Sequence, residues 1–189
     1  MIKIGILGDI GSGKSYLAKK FGYPVFNADE EVGKLYKRNK RIFIKLKKVL
    51  PKFIYSFPIN KNEIIKAIFA NKINLKKITK IIHSEIRKEM SKFLKKHVNK
   101  KIVILDIPLL LENKINKKGD MLVFVKSNKK DILKRLKKRP GFNYNLFIKF
   151  KKIQLPLDYK MRKSHFIIKN NFTNKFVKRD IKYILKKIL

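Results

Sequence analysis

The sequence has no cysteine, few acidic residues and no long apolar run. Without cysteine, disulfides and cysteine-ligated zinc or iron–sulfur sites are excluded, so any metal must be bound by oxygen or imidazole ligands. No apolar stretch approaches the roughly 20 residues of a membrane-spanning helix. Asp9 and several glycines interrupt the apolar start of the chain, which does not fit a signal peptide. We therefore expect a soluble, cytoplasmic protein.

Acidic residues are scarce: 13 Asp and Glu stand against 50 Lys and Arg, which gives a formal net charge of +37. Such a charge often indicates nucleic-acid binding, because clustered cations release counterions from a phosphate backbone. The excess here is mostly lysine scattered along the chain, among many Ile, Asn, Phe and Tyr, as expected of a genome rich in A and T. Compositional bias, a nucleic-acid surface and attraction of an anionic substrate all remain open, and compositional bias is favoured.

The pattern of apolar residues predicts strands alternating with helices. The predicted strands cover residues 2–7, 23–26, 102–107, 121–125 and 165–169. The predicted helices cover residues 16–21, 30–97 with breaks near Pro51, Pro58 and Asn71, 131–139, 144–154, and the chain from 175 onward. This order predicts an α/β fold with a parallel sheet flanked by helices.

The segment from Gly8 to Ser15 matches the phosphate-loop motif G-x-x-x-x-G-K-[ST] in full, directly between a predicted strand and a predicted helix. In this motif backbone N–H groups and the helix N-terminus bind phosphate, the lysine reaches the β- and γ-phosphates, and the serine hydroxyl binds Mg²⁺. The sequence therefore predicts ATP and Mg²⁺ binding, with Ser15 as the metal ligand. The predicted nucleotide-binding residues are Gly8, Ile10, Gly11, Ser12, Gly13, Lys14, Ser15 and Tyr16.

The phosphate loop does not identify the phosphoryl acceptor, because GTPases, transport ATPases and small-molecule kinases share it. The shortness of the chain favours a small-molecule kinase, although Asn128-Lys129-Lys130-Asp131 matches the four letters of the guanine signature N-K-x-D. Asp29 follows the second predicted strand, at the edge of the sheet where ligands of open α/β folds bind. A carboxylate there can orient an attacking hydroxyl or accept its proton. A helix N-cap is an equally good interpretation of Asp29.

Five separated segments occur in the order found in one kinase family. They are the phosphate loop, Asn27-Ala28-Asp29, His83-x-x-x-Arg87, Pro108-Leu109-Leu110-x-Glu112 and Gln154-Leu155-Pro156-Leu157. Along nearly its whole length the chain thus resembles dephospho-CoA kinases. The resemblance implies a sheet of the nucleoside-monophosphate-kinase type, a helical substrate domain and a mobile lid. It also implies transfer of phosphate from ATP to the ribose 3′-hydroxyl of 3′-dephospho-CoA, the last step of coenzyme A biosynthesis.

The resemblance implies roles for individual residues. Asp29 matches the residue that acts on the acceptor hydroxyl, and His83 with Arg87 matches a helix near the substrate, where cations would bind its phosphates. Pro108, Leu109 and Leu110 match the segment that lines the acceptor site, although ordinary core packing is also open for the leucines. Asp106 is a candidate for assisting Mg²⁺ through water, and the role of Glu112 is open between catalysis and pairing with a nearby cation.

A lid is expected at about residues 139–160, within a single kinase domain of residues 1–189. The core is expected at about 1–38 and 100–189, and the helical insertion at about 39–99. Arg135 and Arg139 lie four residues apart on one predicted helix, and Arg139 is the candidate to close over ATP as a catalytic cation. An ordinary basic helix face is the alternative. We expect a monomer with no specific nucleic-acid partner.

The chain also departs from the family pattern. Leu7, Tyr16, Ser84, Leu111, Ile132 and the pair Ser164-His165 stand where the family usually has other residues. These departures leave the phosphate loop, Asp29 and Arg139 in place. A nucleoside-monophosphate-type kinase and a basic nucleic-acid-binding protein with a phosphate loop are the alternative functions.

Overall fold

The structure is a computed structural model that describes the backbone of residues 1–189 and all side chains except those of residues 174 and 175. Its strands are β1 (Ile2–Gly8), β2 (Val25–Asn27), β3 (Ile102–Asp106), β4 (Met121–Lys126) and β5 (Phe166–Lys169). Its helices are α1 (Lys14–Lys20), α2 (Ala28–Arg38), α3 (Lys40–Val49), α4 (Lys61–Ala70), α5 (Lys72–Lys96), α6 (Lys129–Lys137), α7 (Tyr144–Lys152), α8 (Leu157–Arg162) and α9 (Asn174–Ile188). The chain forms two compact units, one of Met1–Asn27 with His97–Leu189 and one of Ala28–Lys96.

The first unit contains a five-stranded sheet in the order β2-β3-β1-β4-β5. Each neighbouring pair of strands is parallel, so all five strands end at the same edge. Every residue of β3 is buried, as expected for a strand covered on both faces. The phosphate loop follows β1, the central strand, and therefore lies at the middle of the carboxyl edge.

The core of the first unit is a cluster of aliphatic side chains between the sheet and two helices. Ile4 and Ile104 of the sheet pack in this cluster with Leu17 of α1 and Ile181 of α9. These side chains are at most 4% exposed. Burial of this apolar area is the main stabilising term, at roughly 25 cal/mol per Å², and it fixes α1 against the sheet behind the phosphate loop.

The second unit consists of α2, α3, α4 and α5 and of the connection between α3 and α4. Glu63 is only 3% exposed, and its carboxylate accepts hydrogen bonds from the backbone N–H groups of Tyr55 and Ser56 and from the Ser56 hydroxyl. Asn74 is also buried, and its Nδ2 donates to the carbonyl oxygen of Ala67 over 3.0 Å. These polar side chains satisfy backbone groups in the connection between α3 and α4 and in the last turn of α4, so their role is structural.

The structure confirms the α/β class and all five predicted strands, with boundary shifts of one or two residues. The predicted helix at 131–139 ends earlier, at Lys137, because the backbone turns before Pro140. One helix was missed: α8 begins after Pro156 and is too short to show a helical period. No helix in the part of the chain that the structure describes has the length and apolar character needed to span a membrane.

Candidate active site

The phosphate loop is built on three glycines with positive φ. Gly8, Gly11 and Gly13 have φ angles of 147°, 82° and 91°, a region that residues with a Cβ rarely adopt. A Cβ on Gly8 would lie 2.8 Å from both Ser12 Oγ and the Val125 carbonyl oxygen. Backbone conformation and close packing both require glycine here, and they hold the loop in the turn that leads into α1.

Two polar side chains, each directly after a strand of the sheet, hold the loop in place. Ser127 Oγ donates to the Ser12 carbonyl oxygen over 3.0 Å, and Asn170 Nδ2 donates to the same oxygen over 2.8 Å. Asn170 is 2% exposed and sits directly after β5. Neither residue was predicted from the sequence to contribute to the site. The available signal was their position just after strands that end at the same edge as β1.

Lys14 Nζ donates to the carbonyl oxygens of Gly8, over 3.3 Å, and Asp9, over 2.7 Å. The ammonium group is thereby held at the loop rather than pointing into solvent. Ser15, the second residue of α1, is exposed, so its hydroxyl is accessible to a ligand. Tyr16 is 39% exposed, and the ammonium of Lys20 lies 5.4 Å from its ring centre.

Asp9, for which the sequence predicts no role in the loop, is 5% exposed. Its Oδ1 accepts from the backbone N–H of Ile10 over 2.8 Å, and its Oδ2 accepts from Lys151 Nζ over 3.1 Å. Lys151 belongs to α7, which lies within the segment expected to form the lid. The loop thus carries a buried carboxylate that is paired with a lysine from a helix distant in sequence.

Asn27 and Asp106 are paired in register at the carboxyl ends of β2 and β3. Asn27 Nδ2 donates to Asp106 Oδ2 over 2.8 Å, and Asp106 is 3% exposed. Two residues after Asn27, Asp29 lies in the first turn of α2, which starts at Ala28. The interpretation of Asp29 as the helix N-cap is therefore wrong, because the helix begins one residue before it.

The segment from Pro108 to Leu110 forms a turn after β3. Leu110 is 1% exposed and its side chain lies against Gly5, whereas Pro108 and Leu109 are half-buried. The alternative of ordinary core packing thus applies to Leu110. Pro108 and Leu109 keep surface that a ligand can contact.

Glu112 is the partner of a buried cation. Its Oε1 accepts from Lys160 Nζ over 2.6 Å and from the backbone N–H of Leu155 over 3.0 Å. The Lys160 and Glu112 side chains are 1% and 9% exposed. Of the two roles left open for Glu112, the structure supports pairing with a cation, which joins the turn after β3 to α8.

His83 and Arg87 belong to the second unit and lie four residues apart on α5. Arg87 is exposed and His83 is half-buried. Burial, and secondarily the positive charge of Arg87, lower the pKa of His83 below its ordinary value of 6.5. In the free protein His83 is therefore mostly uncharged at neutral pH, and of this pair only Arg87 carries a full positive charge.

Arg139 lies in the turn after α6 and is exposed. Its backbone N–H donates to the Leu136 carbonyl, and its own carbonyl accepts from the N–H of Phe142. Arg135 remains on the helix, where its guanidinium carbon lies 4.2 Å above the ring centre of Phe172. The two arginines therefore do not share one helical face as expected, and of the two Arg139 is the one outside the helix.

A family model for dephospho-CoA kinase matches residues 2–175 of this chain. The dephospho-CoA kinase of Wolbachia sp. subsp. Brugia malayi is 32% identical over 187 residues, which cover 96% of this chain and 95% of that protein. The dephospho-CoA kinase of Rickettsia typhi is 30% identical over 192 residues, which cover 100% and 98% of the two chains. These similarities extend over nearly the whole chain.

A protein of known structure from Thermus thermophilus has the same fold, with a TM-score of 0.81 at 24% identity, covering 100% of this chain and 98% of that one. The dephospho-CoA kinase from Campylobacter jejuni aligns with a TM-score of 0.65 at 20% identity, covering 98% and 96%. At these identities the structural similarity shows a common fold.

Proposed function

Since the chain belongs to the dephospho-CoA kinase family, we propose that its phosphate loop and the residues around it transfer the γ-phosphoryl group of ATP to the 3′-hydroxyl of dephospho-CoA. The observation that carries this proposal is the complete phosphate loop at the centre of the sheet edge, with Lys14 hydrogen-bonded to the loop carbonyls of Gly8 and Asp9. The products are ADP and coenzyme A.

On the donor side, the loop N–H groups and the N-terminus of α1 bind the β- and γ-phosphates. Lys14 exchanges its carbonyl partners for phosphate oxygens, which bear more negative charge. Its ammonium then neutralises charge on the group being transferred, and this stabilisation is larger in a site that excludes water. Ser127 and Asn170 support this function because their hydrogen bonds to the Ser12 carbonyl oxygen hold the loop in its phosphate-binding conformation.

The residues present fit a magnesium ion bound together with ATP. Among the described residues there is no cluster of three or more His, Cys, Asp or Glu that forms a metal cage. Magnesium bound with nucleotides takes only one or two protein oxygens, together with phosphates and water. The exposed hydroxyl of Ser15 can provide such an oxygen ligand. Asp106, at the end of the neighbouring strand β3, is the candidate to bind the magnesium ion through a water molecule. Magnesium would neutralise phosphate charge.

On the acceptor side, Asp29 orients the ribose 3′-hydroxyl and accepts its proton as the oxygen attacks the γ-phosphorus. The bond from the γ-phosphorus to the bridging oxygen breaks, and ADP leaves. Arg87 supplies the fixed positive charge for the substrate's phosphates, and His83 adds a hydrogen bond. Pro108 and Leu109 offer apolar contact, with Leu110 holding their turn against the sheet.

The second unit, Ala28–Lys96, is proposed to bind dephospho-CoA, and residues of about 139–160 to form the lid. Arg139 supports the lid proposal because it lies outside α6 in an exposed turn, where its guanidinium is accessible to a ligand. We also propose a cytoplasmic monomer. A chain without cysteine forms no disulfides and so does not need an oxidising compartment.

Replacement of Asp29 by Asn tests the acceptor half of the proposal. The variant keeps the shape of the side chain and removes its charge, so kcat should fall by about 10²- to 10⁴-fold, the usual range for a general base. The KM for ATP should change little. Glu30→Gln removes a neighbouring charge from the same helical turn and is the control. Near-normal turnover of Asp29→Asn would exclude Asp29 as the base.

A further inference from the structure

The phosphate loop carries a negative charge at a position that is unfavourable for its ligand. Asp9 follows Gly8 directly, and its side chain is only 7% exposed. An unpaired carboxylate at this position would repel the phosphates of ATP, and low exposure would strengthen the repulsion. The loop therefore needs a cation close to Asp9 if it is to bind a triphosphate.

Lys151 supplies that cation. Its Nζ lies 3.1 Å from Asp9 Oδ2, although the two residues are 142 positions apart in the chain. The Lys151 side chain is 42% exposed, and its ammonium also lies 5.5 Å from the ring centre of Phe147. Ammonium groups have three donors, so Lys151 has capacity for a further oxygen ligand while it remains bound to Asp9.

Helix α7, which carries Lys151, is packed next to the loop. Phe147 of α7 forms a buried cluster with Ile132 and Leu136 of α6, and Ile10 of the loop packs against this cluster. A Cβ on Gly11 would come within 2.9 Å of the Leu136 side chain, so α6 contacts the loop directly. The ion pair therefore adds a polar contact to an apolar one between α7 and the phosphate loop.

Asp9 binds two ammonium groups at the same time. Its backbone carbonyl accepts from Lys14 over 2.7 Å, and its carboxylate accepts from Lys151 over 3.1 Å. Lys14 is the lysine of the phosphate-loop motif. Both ammonium groups are therefore held at the same residue of the phosphate loop.

We propose that Lys151 is a second phosphate-binding lysine and that Asp9 is its positioning residue. In the free protein the Asp9 carboxylate holds the Lys151 ammonium at the loop. When ATP binds, Lys151 contacts the terminal phosphates, and the charge of Asp9 remains neutralised. This inference rests on the proposed nucleotide site and adds to it a residue from the lid segment.

The first test measures binding of ATP, ADP and AMP by titration calorimetry, without an acceptor. Lys151→Met should weaken ATP binding by about tenfold to a hundredfold, the loss expected when a hydrogen bond to a charged group is removed. Binding of AMP, which lacks the terminal phosphates, should stay within about twofold, and Lys151→Arg should retain most of the affinity for ATP. The control is Lys152→Met, which removes an exposed neighbouring charge from the same helix and should also stay within about twofold.

If Asp9 positions Lys151, Asp9→Asn should change the affinity for ATP in opposite directions with and without Lys151. In the wild-type background Asp9→Asn releases Lys151 and should weaken ATP binding. In the Lys151→Met background the same substitution removes an unpaired negative charge, so it should strengthen ATP binding. A residue that only stabilised the loop would weaken binding in both backgrounds.

Wild-type affinity of Lys151→Met for ATP would overturn the inference, as would a loss of affinity for AMP equal to that for ATP. Equal effects of Asp9→Asn in both backgrounds would remove the positioning role.

The variant Lys14→Ala distinguishes a failure of this inference from a failure of the proposed function. If Lys14→Ala loses ATP and Lys151→Met does not, only the present inference fails, whereas normal ATP binding by Lys14→Ala would contradict the nucleotide site itself. Circular dichroism establishes that each variant is folded. If Asp9→Asn is not folded, the contrast in ATP affinity between Lys151→Met and Lys151→Arg decides whether Lys151 binds phosphate.

Discussion

At the scale of single residues, the protonation state of His83 decides how strongly this side chain attracts an anion. Burial and Arg87 lower the pKa of His83 below 6.5. A bound phosphate has the opposite effect, since it favours the protonated imidazole and raises the pKa. If His83 binds a phosphate of the substrate as proposed, binding takes up a proton, and by linkage the affinity must increase as the pH falls.

We predict that the KM for dephospho-CoA decreases as the pH is lowered through and below 6.5, the ordinary pKa of histidine. His83→Gln should remove this trend and leave the KM for ATP unchanged. Steady-state kinetics over a pH series provides the measurement. An identical trend in His83→Gln would assign the proton to another group and remove His83 from the substrate site.

At the scale of secondary-structure elements, a buried ion pair joins parts of the chain that are distant in sequence. The pair of Glu112 and Lys160 connects the turn after β3 to α8, and the same carboxylate oxygen binds the N–H of Leu155. Both side chains are nearly inaccessible to water, so each charge depends on the other. Removing one partner leaves an uncompensated buried charge, which costs far more than loss of an exposed pair.

Lys160→Met should lower the free energy of unfolding by about 3–5 kcal/mol, because the Glu112 carboxylate loses its partner. Lys163→Met, at an exposed position just after the same helix, should change it by less than about 0.5 kcal/mol. Urea denaturation followed by circular dichroism measures both. Equal effects of the two substitutions would show that the buried pair does not stabilise the fold.

The strands and the phosphate loop could be predicted from the sequence, whereas the ion pairs could not. β1 to β5 were predictable because buried parallel strands are short apolar runs, and the phosphate loop because its motif lies between a strand and a helix. The ion pairs Asp9–Lys151 and Glu112–Lys160 were not predictable. In a chain with 50 basic residues, spacing along the sequence does not indicate which lysine pairs with which acidic residue. Roles for Asp29, Arg87 and Arg139 remain predictions that rest on the family resemblance.

At the scale of the whole molecule, the net charge of +37 on 189 residues opposes folding through mutual repulsion of lysines. The exposed ion pairs offset little of this repulsion, because such pairs typically stabilise the fold by less than about 1 kcal/mol each. The same charge attracts polyanions without selecting among them. Nucleic-acid binding that is lost at moderate salt would therefore not indicate a specific partner.

We predict that the melting temperature rises when the ionic strength increases from about 0.01 M to about 0.15 M, since the Debye length then falls from about 30 Å to about 8 Å and the repulsion is screened. A thermal melt in a monovalent salt at constant pH measures this effect. A melting temperature that is unchanged or falls over this range would mean that lysine repulsion does not limit stability.

The phosphate loop is proposed to serve a transfer reaction whose acceptor is dephospho-CoA. This proposal is tested most directly by ADP release from Mg·ATP, measured with dephospho-CoA, AMP, adenosine or no acceptor, with Lys14→Ala as the blank. We predict release that depends on dephospho-CoA and is absent in Lys14→Ala, while circular dichroism shows that this variant is folded. Release that depends on AMP instead, or that persists in Lys14→Ala, would contradict this account.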